Sequence, residues 1–157
     1  MKPATAKSAL KIQAILGNEF EVLEFEESTR SAADAAAALG CDVAQIAKSM
    51  VFTAADSRRP VLVVASGPVR VDVDKVSKLL GEAIERATPE FVREHSGFAI
   101  GGVPPIGHRV APEIFIDETL LQFSELWAAA GTPNAVFRLS PSDLESLTKG
   151  VIADIAE

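Results

Sequence analysis

A loop rich in glycine and proline, running from Gly101 to His108, is the feature that most constrains how this chain can fold. Its eight residues include three glycines and two prolines. Proline removes backbone hydrogen-bond donors and glycine weakens regular structure, so the stretch cannot form a helix or a central strand. A loop of this kind can present the N–H groups of Gly101 and Gly102 in a fixed geometry, which suits an anionic or carbonyl oxygen. The alternative is a tight connection between two strands.

The size and charge of the chain limit its class. With 157 residues it can bury a substantial core, and we expect a single domain over residues 1–157. The net charge of −7 disfavours a protein that grips long nucleic acid, so DNA is not an expected partner. The N-terminal segment has no long apolar stretch, and the single cysteine cannot form an intramolecular disulfide. We therefore expect a cytoplasmic protein without a membrane partner.

Capping residues and apolar periodicity predict five helices. Each is preceded by a side chain that can accept a hydrogen bond from the first turn, at Thr5, Ser31, Asp72, Thr88 and Ser140. Strands are predicted over 20–25, 46–53, 61–65, 113–117, 126–128, 135–139 and 151–155. Two pairs of these strands form hairpins, the second around a turn at 131–134. Hairpins with helices inserted between them indicate an α+β fold with a mixed, strongly curved sheet and helices packed around it.

Lys48 stands out because its strand alternates. Ile46, Met50 and Phe52 lie on the same predicted face as Lys48. An unpaired ammonium is costly to bury, so this lysine must either reach water or meet an anionic group. The chain has no histidine and cysteine spacing for a metal, no phosphate-binding glycine loop and no serine nucleophile elbow, so we expect no cofactor.

Two segments together, residues 41–52 around Lys48 and residues 97–108 around Gly101, resemble the YbaK/ProX family of aminoacyl-tRNA deacylases. These are relatives of the insertion editing domain of bacterial prolyl-tRNA synthetase. The resemblance implies that domain's fold and hydrolysis in trans of an amino acid wrongly esterified to tRNA, most often proline tRNA. The tRNA 3′ end would be the partner, with prolyl-tRNA synthetase as a further candidate.

The resemblance also implies roles for two residues. Lys48 matches the family's essential lysine, which holds the phosphate or ribose of the terminal adenosine, and Gly101 matches the glycine whose backbone contacts the aminoacyl end. Ester hydrolysis places negative charge on the carbonyl oxygen, and a fixed backbone N–H is worth about 3 kcal/mol to such an oxyanion. Gly101 and Gly102 are the predicted donors. His108 is either the general base or a loop residue bonded to a backbone carbonyl; the third option is that the substrate's ribose hydroxyl orients the water.

Small apolar side chains in the second hairpin predict a small binding pocket. The candidate substrate-binding residues are Phe25, Ser49, Met50, Ala129, Ala130 and Val136. Cysteine-removing members of the family look more polar at the positions of Ala129 and Val136, which favours alanine or 2-aminobutyrate as the amino acid removed. Close packing of strand against helix would also explain the alanines. Two alternatives remain open: a cysteinyl-tRNA(Pro) deacylase, and a non-catalytic module that recognises a charged tRNA end or an adenosine nucleotide.

Overall fold

The computed structural model describes residues 1–27, 29 and 31–157. Five α-helices lie in these residues: α1 (Lys7–Leu16), α2 (Ala32–Leu39), α3 (Val73–Leu80), α4 (Pro89–Ser96) and α5 (Pro141–Thr148). The described strands are β1 (Lys2–Pro3), β2 (Val22–Glu24), β3 (Ile46–Ala54), β4 (Pro60–Ser66), β5 (Ile84–Arg86), β6 (Glu113–Asp117), β7 (Leu126–Ala129), β8 (Ala135–Leu139) and β9 (Val151–Ala153). None of the described helices has the length and apolar character needed to span a membrane.

The strands form one mixed sheet in the order β1-β2-β8-β7-β3-β4-β6-β9, and β5 also pairs with β3. Both predicted hairpins, β3 with β4 and β7 with β8, are antiparallel. The pairs β3–β7, β4–β6 and β6–β9 are parallel. This topology confirms the predicted α+β class with a mixed sheet, and it brings β3 beside the β7–β8 hairpin.

The strand β4 anchors the sheet because all seven of its residues are buried. Leu62 and Val64 pack into the core on one face of the sheet, and Val61, Val63 and Ala65 pack into the core on the other. Fully burying such an aliphatic side chain contributes about 1.5–3 kcal/mol relative to leaving it exposed. Because β3 pairs along the length of β4, the main chain of β3 is held between two packed cores.

Four of the five helices begin at the predicted capping side chain, and α1 does not. Ser31, Asp72, Thr88 and Ser140 each accept a hydrogen bond from an N–H of the first turn.

The cap of α1 was wrongly predicted to be Thr5. The N–H and Oγ1 of Thr5 donate to Oε1 of Glu24, at 2.9 and 2.7 Å, and the N–H of Ala6 donates to Oε2 of Glu24 at 3.0 Å. These hydrogen bonds, from Ala6 first and then Thr5, lower the pKa of this buried carboxyl. A carboxylate from β2 therefore takes the place of a local cap.

Candidate active site

A small cavity of about 190 Å³ lies where β3, α2, the glycine loop and the β7–β8 hairpin meet. Five residues that the sequence singled out line it together: Lys48, Ser49, Gly101, Ala129 and Val136. They come from four separate stretches of the chain. The parallel pairing of β3 with β7 accounts for this arrangement, because it sets the lysine segment directly beside the small residues of the hairpin.

The Lys48 ammonium donates to two main-chain carbonyls, and the residue is half-buried. Its Nζ donates to the carbonyl oxygen of Gly67 at 3.0 Å and to that of Val69 at 2.7 Å. Burial lowers the pKa of Lys48 below its ordinary value, and the negative charge of Asp117 opposes this shift. Because an ammonium has three N–H donors and two are bonded within the protein, one remains for a ligand. The partners of Lys48 are thus main-chain carbonyls, whereas the sequence predicted water or an anionic group.

A buried carboxylate holds the segment that supplies these carbonyls. Asp117 is fully buried, and its Oδ2 accepts a hydrogen bond of 3.0 Å from the N–H of Ser66. Its Oδ1 accepts from the N–H and Oγ1 of Thr119, at 2.9 and 2.8 Å. Next to Ser66, any side chain at Gly67 would collide with the carbonyl oxygen of Val43. Asp117 and Gly67 are therefore positioning residues that sequence reasoning missed; an acidic residue closing the apolar strand β6 was the available signal.

Gly101 and Gly102 differ in the hydrogen bonds that their main-chain groups make. Gly101 has a φ of +96°, lines the cavity, and its N–H has no hydrogen-bond partner among the described residues. The Gly102 N–H donates to the carbonyl oxygen of Ala99 at 3.1 Å, and the Gly102 carbonyl accepts from Gly131 at 3.0 Å. Of the two predicted donors, Gly101 is the one whose N–H is available to a substrate in this conformation.

His108 lies away from this cavity. It lines a different cavity with Pro105, Ile106 and Leu147, and its Nε2 is 2.7 Å from the carbonyl oxygen of Pro104. A carbonyl only accepts, so the hydrogen is on Nε2. This contact is the one expected if His108 holds the loop by bonding a backbone carbonyl. Its role as the general base remains a prediction.

The buried position of His108 leads to a testable pH dependence. Burial lowers the pKa of His108, which outweighs the effect of the Pro104 contact. Below the ordinary histidine pKa of about 6.5 the unfolded chain then binds more protons than the folded one, so the free energy of unfolding should fall as pH drops through 6.5 towards 5. Urea unfolding across this range measures it. The slope should become shallower in His108→Gln, which leaves the contribution of carboxylates with lowered pKa such as Glu24, and should stay unchanged in His95→Gln. A slope in His108→Gln as steep as in the wild type would contradict this assignment.

Three other predicted binding residues lie outside the cavity that contains Lys48. Phe25 is buried against Ala35 and Ile46 and borders a separate, open cleft with Glu26 and Glu27. Ala130 is fully buried, and its N–H donates to the carbonyl oxygen of Ala135 at 2.8 Å. Met50 lines a neighbouring cavity. The wall also contains residues that sequence reasoning did not identify, among them Ala32 and Ala35 of α2 and Val103 beyond the glycines.

Among the described residues, no group of three or more histidine, cysteine, aspartate or glutamate side chains lies close enough to share a metal ion.

Comparison with known proteins identifies the family. A family model described as the aminoacyl-tRNA editing domain matches residues 26–147. The chain belongs to the aminoacyl-tRNA editing domain family. This membership confirms the predicted family and the predicted enzyme class, an aminoacyl-tRNA deacylase.

Relatives of this editing domain cover most of the chain. It is 32% identical over 130 residues to the uncharacterised protein YwhH of Bacillus subtilis, a match covering 83% of this chain and 82% of the relative. It is 29% identical over 132 residues to an Enterococcus faecalis protein provisionally named Cys-tRNA(Pro)/Cys-tRNA(Cys) deacylase EbsC, covering 83% and 80%. A crystal structure provisionally described as a trans-editing enzyme for prolyl-tRNA synthetase matches with a TM-score of 0.93 and 44% identity, covering 98% of this chain and 99% of the other.

Proposed function

We propose that this editing domain hydrolyses the ester between a small aliphatic amino acid and the 3′ end of proline tRNA. One observation carries the proposal: Lys48, whose ammonium keeps one N–H for a ligand, and Gly101, whose N–H has no partner among the described residues, line the same small cavity. An aminoacyl ester offers the oxygens that these two donors can bind. The reaction would take place in the cytoplasm, where charged tRNA is used.

The chemistry follows from the placement of these donors. Water attacks the ester carbonyl, and the carbonyl oxygen becomes negatively charged as the tetrahedral intermediate forms. The Gly101 N–H stabilises this oxyanion without having to reorganise, which is worth about 3 kcal/mol. The bond from the carbonyl carbon to the ribose oxygen then breaks, and a proton given up by the attacking water passes to that oxygen, which releases the amino acid and leaves a hydroxyl on the tRNA. The ribose hydroxyl of the substrate orients the attacking water, because His108 lines a different cavity.

The walls of the cavity favour a short aliphatic side chain. Ala129 and Val136 are apolar, and two of the hydroxyls that line the cavity already have partners: Thr29 Oγ1 donates to the Pro133 carbonyl at 2.7 Å, and Ser31 Oγ accepts from the Asp34 N–H at 3.1 Å. The hydroxyl of Ser49, which also lines the cavity, is buried without a partner among the described residues. A substrate whose amino-acid side chain is larger than the cavity is excluded sterically, which is how such sites discriminate most strongly. Alanine and 2-aminobutyrate fit this description.

The choice of tRNA rests on the relatives. The 44% identical structure is described as a trans-editing enzyme for prolyl-tRNA synthetase, which supports proline tRNA as the substrate and that synthetase as a partner. A net charge of −7 supports a contact confined to the 3′ end, because a long phosphate contact needs a basic surface.

A second candidate substrate is cysteinyl-tRNA. The 29% identical relative that is provisionally named a Cys-tRNA(Pro)/Cys-tRNA(Cys) deacylase favours it. Cysteine is also short enough to enter a small cavity. A non-catalytic module that binds a charged tRNA end would use the same Lys48 and Gly101 groups, and it differs only in the absence of turnover.

A deacylation assay on a panel of charged tRNAs distinguishes these functions. The panel contains proline tRNA charged with alanine, 2-aminobutyrate, cysteine and proline, incubated with catalytic amounts of the protein. We expect multiple turnovers with alanine or 2-aminobutyrate, slower release of cysteine and no release of proline. Fastest release of cysteine would establish the second candidate. Binding without any turnover across the panel would overturn the proposal in favour of the non-catalytic module.

A further inference from the structure

Asp117 carries a buried negative charge that no cation contacts directly. The residue is fully buried at the end of β6 and forms no ion pair with any described residue. Its two oxygens accept from the N–H of Ser66 and from the N–H and hydroxyl of Thr119, all of which are neutral groups. A main-chain donor on each oxygen favours the ionised carboxyl. Because a buried charge is costly without an opposite charge nearby, this carboxylate needs a cation within electrostatic range.

Lys48 has the same deficit with the opposite sign. The two partners of its ammonium, the carbonyls of Gly67 and Val69, are neutral, and it forms no ion pair within the described part of the chain. Burial lowers the pKa of Lys48, and the negative charge of Asp117 raises it. Hydrogen bonds from an ammonium are roughly twice as strong as those from a neutral donor, so the site depends on the charged form of Lys48.

The register of the sheet places Asp117 and Lys48 on either side of one small residue. Lys48 on β3 pairs with Ala65 on β4, and on the other side of β4 Val64 pairs in parallel with Ile116. The next residues along these two strands, Ala65 and Asp117, therefore lie level with each other. Ile116 packs into the core on one face and Ala65 into the core on the other, so Asp117 faces the same way as Ala65 and its cross-strand partner. The main chains of Lys48 and Asp117 are two strand spacings apart, about 10 Å, with the methyl group of Ala65 between them.

We propose that Asp117 is the counter-charge that keeps the Lys48 ammonium protonated, acting across the side chain of Ala65. This electrostatic role is distinct from holding the segment that supplies the Gly67 and Val69 carbonyls. It rests on the proposed function, because its consequence for hydrolysis requires the ammonium to bind the substrate. Asp117 is a positioning residue, since it does not line the cavity and acts through Lys48.

The other charged side chains on the described elements around Lys48 are exposed to water, bonded locally or paired with one another. Water screens exposed charges far more than buried ones. The exposed residues are Asp34, Asp42, Arg70, Arg86 and Glu118, Asp72 caps α3, and the ion pairs are Arg58 with Glu85, Arg59 with Glu113 and Glu125 with Arg138. Asp117 is therefore the charge whose removal should change Lys48 most.

The pH titration of the Lys48 side chain tests this proposal without any hydrolysis. The readout is the ε-carbon signal in a carbon-13 correlation spectrum of the full chain, assigned as the lysine signal that Lys48→Met loses. In Asp117→Asn this signal should pass through its transition at lower pH than in the wild type, because the charge that favours the ammonium is gone. The signal of Lys75, which pairs with the exposed Asp154, should titrate as in the wild type.

The pH profile of deacylation is the second measurement, and a merely structural role would not reproduce it. A rate that needs one protonated group falls about tenfold per pH unit above the pKa of that group. The ratio of kcat/KM in Asp117→Asn to that in the wild type should therefore fall as pH rises through the alkaline range. Taking the ratio cancels the titration of the substrate's own amino group, since both proteins act on the same substrate. A loss of positioning alone would lower the ratio by the same factor at every pH.

Two further variants separate the charge of Asp117 from its hydrogen bonds. Asparagine at position 117 turns an N–H towards one of the backbone donors, so Asp117→Ser is a second neutral variant, whose hydroxyl can accept instead. Thr119→Val is the matched control, because it removes one hydrogen bond to Asp117 and keeps the charge. The Lys48 transition should move to lower pH in Asp117→Ser and stay at its wild-type position in Thr119→Val.

Three outcomes would overturn the proposal: a Lys48 transition unchanged in a folded neutral variant, an equal displacement in Thr119→Val, or a wild-type Lys48 that is already deprotonated at neutral pH. The last of these needs no replacement of Asp117, so the proposal stays testable if both neutral variants fail to fold. Failure of this inference is separable from failure of the proposed function. Turnover of charged tRNA with an unmoved Lys48 transition defeats the counter-charge alone, whereas a displaced transition without turnover defeats the hydrolase alone.

Discussion

Replacing Lys48 with methionine is expected to lower kcat/KM for the mischarged tRNA by about 10²–10³-fold, the loss typical of one well-placed donor to a developing charge. Methionine keeps the length and apolar stem of lysine but removes the ammonium that the carbonyls of Gly67 and Val69 bind. The measurement is initial deacylation rate against substrate concentration, with circular dichroism and a thermal melt to establish that the variant folds. The variant should still fold. The substitution leaves two carbonyls without their donor, which lowers stability, but it also removes a charge that is costly to bury, which offsets part of that loss.

The matched control for this prediction is Lys75→Met. Lys75 also donates to a main-chain carbonyl, that of Ala156 at 2.7 Å, and it pairs with Asp154 at 2.8 Å outside the cavity that contains Lys48. Its replacement should leave kcat/KM unchanged. Full activity in a folded Lys48→Met protein would show that the Lys48 ammonium takes no part in hydrolysis. The main support for the proposed function would then be lost.

Replacing Gly102 with alanine is expected to destabilise the fold by about 1–3 kcal/mol, the usual cost of overpacking. A Cβ at this position would lie 2.6 Å from the Cα of Thr132 and 2.8 Å from its carbonyl carbon, so a main chain must move. Gly102 does not have a positive φ, and the cost therefore comes from the collision alone. Urea unfolding measures it, and deacylation should fall as well because Gly101 moves with its neighbour.

Amide hydrogen exchange locates this effect. The N–H of Gly131 donates to the Gly102 carbonyl at 3.0 Å, so its exchange should speed up in Gly102→Ala. The control is Gly81→Ala, which has a positive φ of +92° with open space around the added Cβ, and which should leave Gly131 exchange unchanged. An alanine at position 102 that leaves both stability and Gly131 exchange as in the wild type would show that the close approach to Thr132 is not a constraint.

The amino-acid sequence alone determined most of the local elements and the choice of motifs, although it did not predict the short strands β1 and β5. The caps at Ser31, Asp72, Thr88 and Ser140 depend on residues three positions or fewer apart, and the two hairpins depend on short turns between apolar runs. The alternation around Lys48 likewise identified a lysine that needed a polar partner. These features depend on short-range effects, so the sequence pattern was sufficient to predict them. The motifs in the sequence were also sufficient to predict the family.

Only the tertiary structure decided which groups meet. The carbonyls of Gly67 and Val69 that hold Lys48, the carboxylate of Glu24 that caps α1, and the division between the cavities of Ala129 and Met50 all depend on contacts between segments far apart in the chain. Residue type cannot specify such partners, because every residue but proline offers the same main-chain donor and acceptor. Which main-chain N–H is free to bind a substrate depends on how the sheet packs.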